Sequence, residues 1–311
     1  MTEFELIAAL TPHLPTNDFV VTGAGDDCAV LEMGSPDTQT LLKTDAVVEG
    51  VHFLSETEPV RVGHKAMARC LSDIAAMGGT PVAALITLGL PKGFDSQRLQ
   101  EQYQGLNLLA ARHRVAVVGG ETTTNPERQW ISVTVLGTVP RGKALLRSGA
   151  KPGEAIFVTG ELGGSLAGRH LDFEPRLEEG RWLASTGWVS AMMDISDGVA
   201  GDLGHLVRSS GGLGAELLGA AIPISRVAKE RARLGDLSRP ALLAALTDGE
   251  DFELMFTVPK AHAVPLMDAW KARFPEVRLS CIGRVMSEPG LRLRTEQGIR
   301  PLQAKGYEHF S

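Results

Sequence analysis

"VRVGHKAMARCLSDIAAMGG" (Val60–Gly79), followed two residues later by "VAALITLGL" (Val82–Leu90), decides the fold class. In the first segment Val62, Ala66, Met67, Cys70, Leu71, Ile74 and Met77 recur every three or four residues, the spacing of one helix face, and Gly78-Gly79 closes the run. The second is a short apolar run bounded by Pro81 and Pro91, which reads as a strand. The same alternation continues on both sides. "CAVLEM", "TLLKTD", "VAVVGG" and "WISVTVLGTV" read as strands, and "SQRLQEQYQGLNLLAARHR" as a second helix. At "RSGAKPGE" (Arg147–Glu154) small residues, Gly and Pro interrupt the pattern, so a domain boundary is expected there, giving domains 1–146 and 147–311. Beyond it "AIFVTG", "AMMDIS", "FELMFTV" and "VRLSCIGRV" read as strands, with "DGVAGDLGHLVRSS", "ALLAALT" and "KAHAVPLMDAWKARF" as helices. Strands interleaved with helices in both halves mean α/β or α+β layering.

A chain of 311 residues is comfortable for two domains with a core each, and 43% hydrophobic residues let both fold. The net charge of −6, without a lysine or arginine block, argues against nucleic acid as a partner. "MTEFELIAALTPHLP" carries Glu3 and Glu5 where a secretory signal carries lysines, and the longest apolar run is too short to span a bilayer. The expectation is a soluble cytoplasmic protein without a membrane partner. Cys28, Cys70 and Cys281 lie far apart and form neither a CxxC pair nor a disulfide framework, so reduced thiols are expected.

The acids carry the functional signal. Asp26 and Asp27 stand side by side in "GAGDDCAVLE" (Gly23–Glu32), where each raises the cost of ionising the other unless a cation compensates. Further acids sit at element ends beside Gly, Ser or Thr: Asp45, Asp73, Glu121, Asp194, Asp197, Glu250 and Asp251. Scattered carboxylates and hydroxyls suit Mg²⁺, which keeps part of its shell for water and phosphate oxygens; no His or Cys cluster points to zinc. Ordinary roles remain open for most of them. Asp26 fits a turn, Asp73 an ion pair with Arg69 one helical turn away, and Asp197 the N-cap of the following helix. Asp194 fits poorly as a bystander, because "AMMDIS" is otherwise an apolar strand and an unpaired buried carboxylate is expensive. "GTVPRGKA" (Gly137–Ala144) resembles a P-loop, but Ala144 replaces the metal-binding hydroxyl and Pro140 removes an amide.

The ordered set "GAGDDCAVL", "KTDAVVEGVHF", "GHKAMARCLSDIAAMGGTP", "GGETT", "LRSGAKPGE", "VTGELGGSLAG", "DISDGVAGDLGHL", "GEDFEL", "CIGRV" and "GYEHF" resembles the thiamine-monophosphate kinase family, within the aminoimidazole-ribonucleotide (AIR) synthetase-like superfamily. The match runs from about residue 23 to 310. The resemblance implies a two-domain fold: an N-terminal α/β domain that dimerises through its sheet and holds metal and ATP, and a C-terminal α/β domain covering the nucleotide. It implies that Asp27, Thr44, Asp45, Asp73, Glu121, Asp194 and Asp197 hold several Mg²⁺ ions. Gly120, Glu121, Arg147 and Ser196 would contact ATP; His52, Glu250 and Tyr307 would contact thiamine monophosphate. Two residues depart from the family pattern. Glu121 replaces the usual Asp of "GGDTT", and Lys43 stands where Ser is common. The stretch "RHLDFEPRLEEGRWLAS" is compressed relative to the family.

A phosphate monoester acceptor is largely dianionic at neutral pH, since its second pKa is about 6, so no separate catalytic base is expected. The obstacle is repulsion between two anions, which bridging metal ions relieve while aligning the reacting oxygens. Competing readings are another ATP-using superfamily enzyme of the hydrogenase-maturation, selenophosphate or purine-synthesis type, or a non-catalytic cation- or nucleotide-binding relative. A chain ending "GYEHFS", with its first cysteine at Cys28, departs from the cysteine placements of the first two.

Overall fold

A computed structural model describes residues 3–235 and 240–303. The first half runs α1 (Glu3–Leu10), β1 (Val20–Thr22), β2 (Ala29–Leu31), β3 (Thr38–Val48), α2 (Pro59–Ala76), β4 (Thr80–Leu90), α3 (Ser96–Arg112), β5 (Ala116–Thr124) and β6 (Trp130–Pro140). Its strands form one sheet in the order β1-β2-β3-β6-β4-β5, antiparallel except for the β4–β5 edge pair. The second half runs β7 (Ala155–Thr159), α4 (Leu177–Thr186), β8 (Ala191–Asp194), α5 (Val199–Ser209), β9 (Gly214–Leu218), α6 (Arg226–Leu234), α7 (Ala241–Thr247), β10 (Leu254–Val258), α8 (Lys260–Arg273), β11 (Leu279–Met286), β12 (Gly290–Thr295) and β13 (Gly298–Leu302). These strands make a second sheet, β13-β12-β9-β11-β7-β10-β8. The architecture is the layered α/β arrangement the sequence pattern predicts.

The core differs from the expectation of one per half. Helix α2 is buried along nearly its whole length, because its lower face sits on Leu41, Val133 and Val135 of the first sheet while its upper end meets the second half. One apolar cluster therefore runs from Leu41, Ile74 and Ile86 to Phe157, Met192, Phe256 and Trp270. The alternation of the second sheet sends Ile156, Met193 and Met255 to its other face, against Leu203 and Leu206 of α5. Close packing of α2 on α3 depends on two crossing glycines. A Cβ on Gly63 would meet the Gln102 carbonyl oxygen at 1.7 Å, and one on Gly105 would meet that of Val60 at 1.8 Å.

The outer face of the first sheet carries exposed apolar side chains among the described residues. Leu42 and Leu136, opposite each other on β3 and β6, and Leu85 on β4 are exposed there. Among the described residues, no helix is long and apolar enough to cross a membrane.

Candidate active site

The site is built where α2 is clamped between the halves. Along α2 the polar residues Lys65, Arg69, Ser72 and Asp73 follow at spacings of four, three and one, which aligns them as a stripe on one face of the buried part of the helix. Asp27 enters from the loop before β2, and Asp194 from the end of β8. Ligand atoms of Asp27, Asp73 and Asp194 lie within 4.8 Å of one another, and all three side chains are buried.

Each acid has a chain partner. Ser72 Oγ donates to Asp194 at 2.5 Å, and Lys43 Nζ to Asp73 at 2.8 Å. Arg147 grips Asp27 Oδ1 with Nε at 3.0 Å and also with Nη2, while its backbone N–H donates to both Asp26 oxygens at 3.2 Å. Asp27 Oδ2 is buried with no hydrogen-bond partner. Burial pushes the Asp194 carboxyl up to about 6, with the Asp27 charge adding to it. Asp26 is raised to about 6 by the same two causes in the same order. Burial drives Asp73 well above the usual carboxylate range despite Lys43. Asp45 goes the other way: burial opposes its ionisation, yet Arg69 and Lys43 together hold it below its ordinary value. Three gathered carboxylates, two of them reluctant to ionise and one with an orphaned oxygen, could hold a hard cation beside the Arg147 and Lys43 pairs.

Beside the acids is a small cavity of about 120 Å³ lined by His52, Arg69, Leu166, His170, Ser196, Asp197, Asp248 and Glu250. Glu250 sits at positive φ (57°), pairs with the buried Lys65 and lies 3.8 Å from Arg69. Its carbonyl accepts from Ser165 Oγ at 2.6 Å, and its N–H donates to the Ser196 carbonyl at 2.7 Å. The next residue, Asp251, anchors the turn by accepting from Gly163 N–H at 3.0 and 2.9 Å and from Arg169 at 2.8 Å. His52 Nδ1 accepts the Val48 N–H at 3.1 Å, and its carbonyl accepts from Lys65 at 2.8 Å. A larger apolar cavity of about 1080 Å³ beside Leu242 and Leu293 shares no lining residue with the acids.

The comparisons fit this geometry. Residues 25–139 match the family described as AIR synthase related protein, N-terminal domain. The thiamine-monophosphate kinase of Rhodopirellula baltica is 41% identical, with 88% of this chain and 85% of that protein covered. The chain belongs to the thiamine-monophosphate kinase family. The Bacillus subtilis thiamine-monophosphate kinase is 34% identical, with 100% of each chain covered. Among solved structures, AaThiL complexed with AMPPCP and TMP is 32% identical, with a TM-score of 0.84 over 99% of this chain and 97% of that one.

In this member of the thiamine-monophosphate kinase family the residues singled out from sequence divide into groups. Asp27, Asp73, Asp194 and Arg147 converge, and Asp45 adjoins them through Arg69 and α2. Ser196, Asp197, His52 and Glu250 share the small cavity. Thr44 does not converge. It alternates with Lys43 and Asp45 on β3, so its hydroxyl lies on the outer sheet face and accepts from Thr134 at 3.0 Å. Gly120 and Glu121 are on the edge strand β5, three strands from β3, about 14 Å along the sheet. Glu121 is exposed, shares the outer face with Thr44, and accepts the Thr122 N–H at 2.9 Å. Gly120 lies so close to β4 that a Cβ would meet the Ile86 carbonyl oxygen at 1.7 Å. Tyr307 lies outside the described residues.

Two ordinary roles are corrected. Arg69 pairs with Asp45 at 3.0 Å, and Asp73 takes Lys43 instead. The N-cap of α5 is Gly198, not Asp197, and the buried Asp202 reaches back to accept the Asp197 N–H at 3.1 Å. Sequence reading missed Lys65, Arg69, His170 and Asp202. The first two were signalled by their place in the polar stripe of α2.

Proposed function

We propose that the protein transfers the γ-phosphoryl group of ATP to thiamine monophosphate, releasing ADP and thiamine pyrophosphate. The observation that carries this reading is the buried Asp27–Asp73–Asp194 trio with its orphaned oxygen, joined along α2 from Asp73 to Arg69 of the cavity at Glu250, in a chain of the thiamine-monophosphate kinase family. Magnesium fits the trio because its donors are all carboxylate oxygens; Asp27, Asp73 and Asp194 would hold it, with Asp45 and Asp197 at the flanks. Bound there, magnesium would supply positive charge to neutralise the phosphate oxygens.

The side chains supply the rest. Arg147 presents a planar fork suited to phosphate and holds Asp27 ready for a cation. Arg69 and His52 offer donors to the acceptor phosphate at the cavity wall. Glu250, held in its turn by Ser165, Ser196 and the Asp251 anchor, places a carboxylate opposite the cationic thiazolium. The acceptor dianion is its own nucleophile, so none of these groups needs to remove a proton.

We further infer a homodimer formed through the outer face of the first sheet, which exposes Leu42, Leu85 and Leu136 and carries Thr44 and Glu121, with Gly120 beside them on the edge strand. In that arrangement the residues that do not converge within one chain lie at the interface. ATP as co-substrate and three free cysteines fit a reducing, cytoplasmic setting. The test is turnover: purified protein with ATP, Mg²⁺ and thiamine monophosphate releases ADP and forms the pyrophosphate. ATP binding without acceptor-stimulated ADP release, across thiamine monophosphate and the other superfamily acceptors, overturns the kinase reading.

A further inference from the structure

The buried trio is not left with three bare charges. Arg147 is fixed on Asp27, and Lys43 on Asp73 at 2.8 Å, whereas Asp194 accepts from the Ser72 hydroxyl and, among the described residues, forms no ion pair. Asp45 and Asp194 are also near Lys43, and Arg69 already occupies Asp45 at 3.0 Å. Lys43 rises from the inner face of β3, beneath α2, so its ammonium is held among acids with only partial access to solvent. With all three ionised, as a bound cation would hold them, three carboxylates against two fixed cations leave one net negative charge. A single divalent ion reverses that sign. A second would stand beside an ammonium in a site of low dielectric, where like charges repel strongly.

Resting on the reading of the trio as a magnesium site, we propose that Lys43 is a built-in cation that takes the place of one divalent ion beside Asp73. The nucleotide-free chain then binds one divalent ion at the trio, on the side of Asp194 and the orphaned Asp27 Oδ2. Lys43 acts here as a positioning residue: it fixes the number of ions and the side of the trio on which they sit.

The test counts Mn²⁺, a paramagnetic stand-in for Mg²⁺, bound to the nucleotide-free full chain by electron paramagnetic resonance and equilibrium dialysis. The wild type should hold one ion that Asp194→Asn removes. Lys43→Met and Lys43→Gln should each hold one further ion per chain and bind the first about tenfold more tightly, since a neighbouring like charge is gone. Lys43→Arg keeps the charge and should keep the wild-type count. Two neutral variants of different polarity guard against one failing to fold, which a melting curve in EDTA detects. Unchanged number and affinity in both neutral variants, or an added ion in Lys43→Arg as well, overturns the role of Lys43 and leaves the magnesium reading standing. If Asp194→Asn changes nothing in either background, the magnesium reading itself fails, and the role of Lys43 falls with it.

Discussion

Arg147→Ala tests how the site holds its charge before any ion arrives. Arg147 is the first residue after the "GKALL" loop and joins the halves: its side chain holds Asp27 Oδ1 and its backbone N–H holds Asp26. Truncation to alanine keeps the backbone bonds and removes only the guanidinium. Asp27, whose side chain is fully buried and whose Oδ2 already lacks a partner, then has no cation in contact. Breaking a buried ion pair from one side costs about 3–5 kcal/mol, and because Arg147 keeps partial solvent access the lower end applies, about 3 kcal/mol. The shared apolar core makes the chain unfold largely as one unit, so this loss lowers Tm by roughly 4–6 °C. Thermal unfolding followed by circular dichroism in EDTA reads this shift. Added Mg²⁺ should return most of it, and so should Asp27→Asn in the Arg147→Ala background, which removes the stranded charge. A single variant melting within about 2 °C of the wild type in EDTA, or a double variant less stable than Arg147→Ala, would refute the argument.

Glu250→Gln should raise KM for thiamine monophosphate about tenfold, the equivalent of ~1.4 kcal/mol, with KM for ATP nearly unchanged; steady-state kinetics in both substrates decide it, and equal shifts would remove Glu250 from the acceptor site. Asp251 is raised by burial to about 7 from an ordinary value of 3.8. The folded chain thus keeps this proton between pH 4 and 7 while the unfolded chain releases it, so its contribution to stability is fully present at acid pH and declines as pH rises through 7. Asp251→Asn should flatten that decline in urea titrations between pH 5 and 7, and an unchanged slope would place the effect elsewhere. Leu85→Lys on the outer sheet face should convert a dimer to monomers by light scattering, with little change in the melting of the monomer; a variant that stays dimeric points to another interface.

Much of this was legible in the chain itself. The period of α2 and the apolar runs of β3, β4, β6, β7, β8 and β10 needed no tertiary information, since their side-chain spacing matches the pitch of the element. β9, β12, β13 and α6 were not read. β12 and β13 carry arginines on a sheet edge, and α6 is strongly polar with only Ala228 buried, so hydrophobic periodicity is weak in all three. Among the site residues, Asp194 announced itself as a charge in an apolar strand. Lys65 did not, because a lysine on a helix is ordinarily solvated, and the Glu250 carboxylate arriving 185 residues later, with the His52 carbonyl, makes its burial tolerable.

The sequence by itself determined the layered α/β class, the acidic character of the site, and the order of motifs that mark the thiamine-monophosphate kinase family, because element periods and residue chemistry are local properties. Only the tertiary structure decided which acids share a charge. Asp27 and Asp194 are 167 positions apart in the chain, yet they meet because one buried helix is packed between two sheets. Thr44 and Glu121 carry equally suitable oxygens and lie on the opposite sheet face, since a strand alternates its side chains and one residue's shift sends a ligand to the other side.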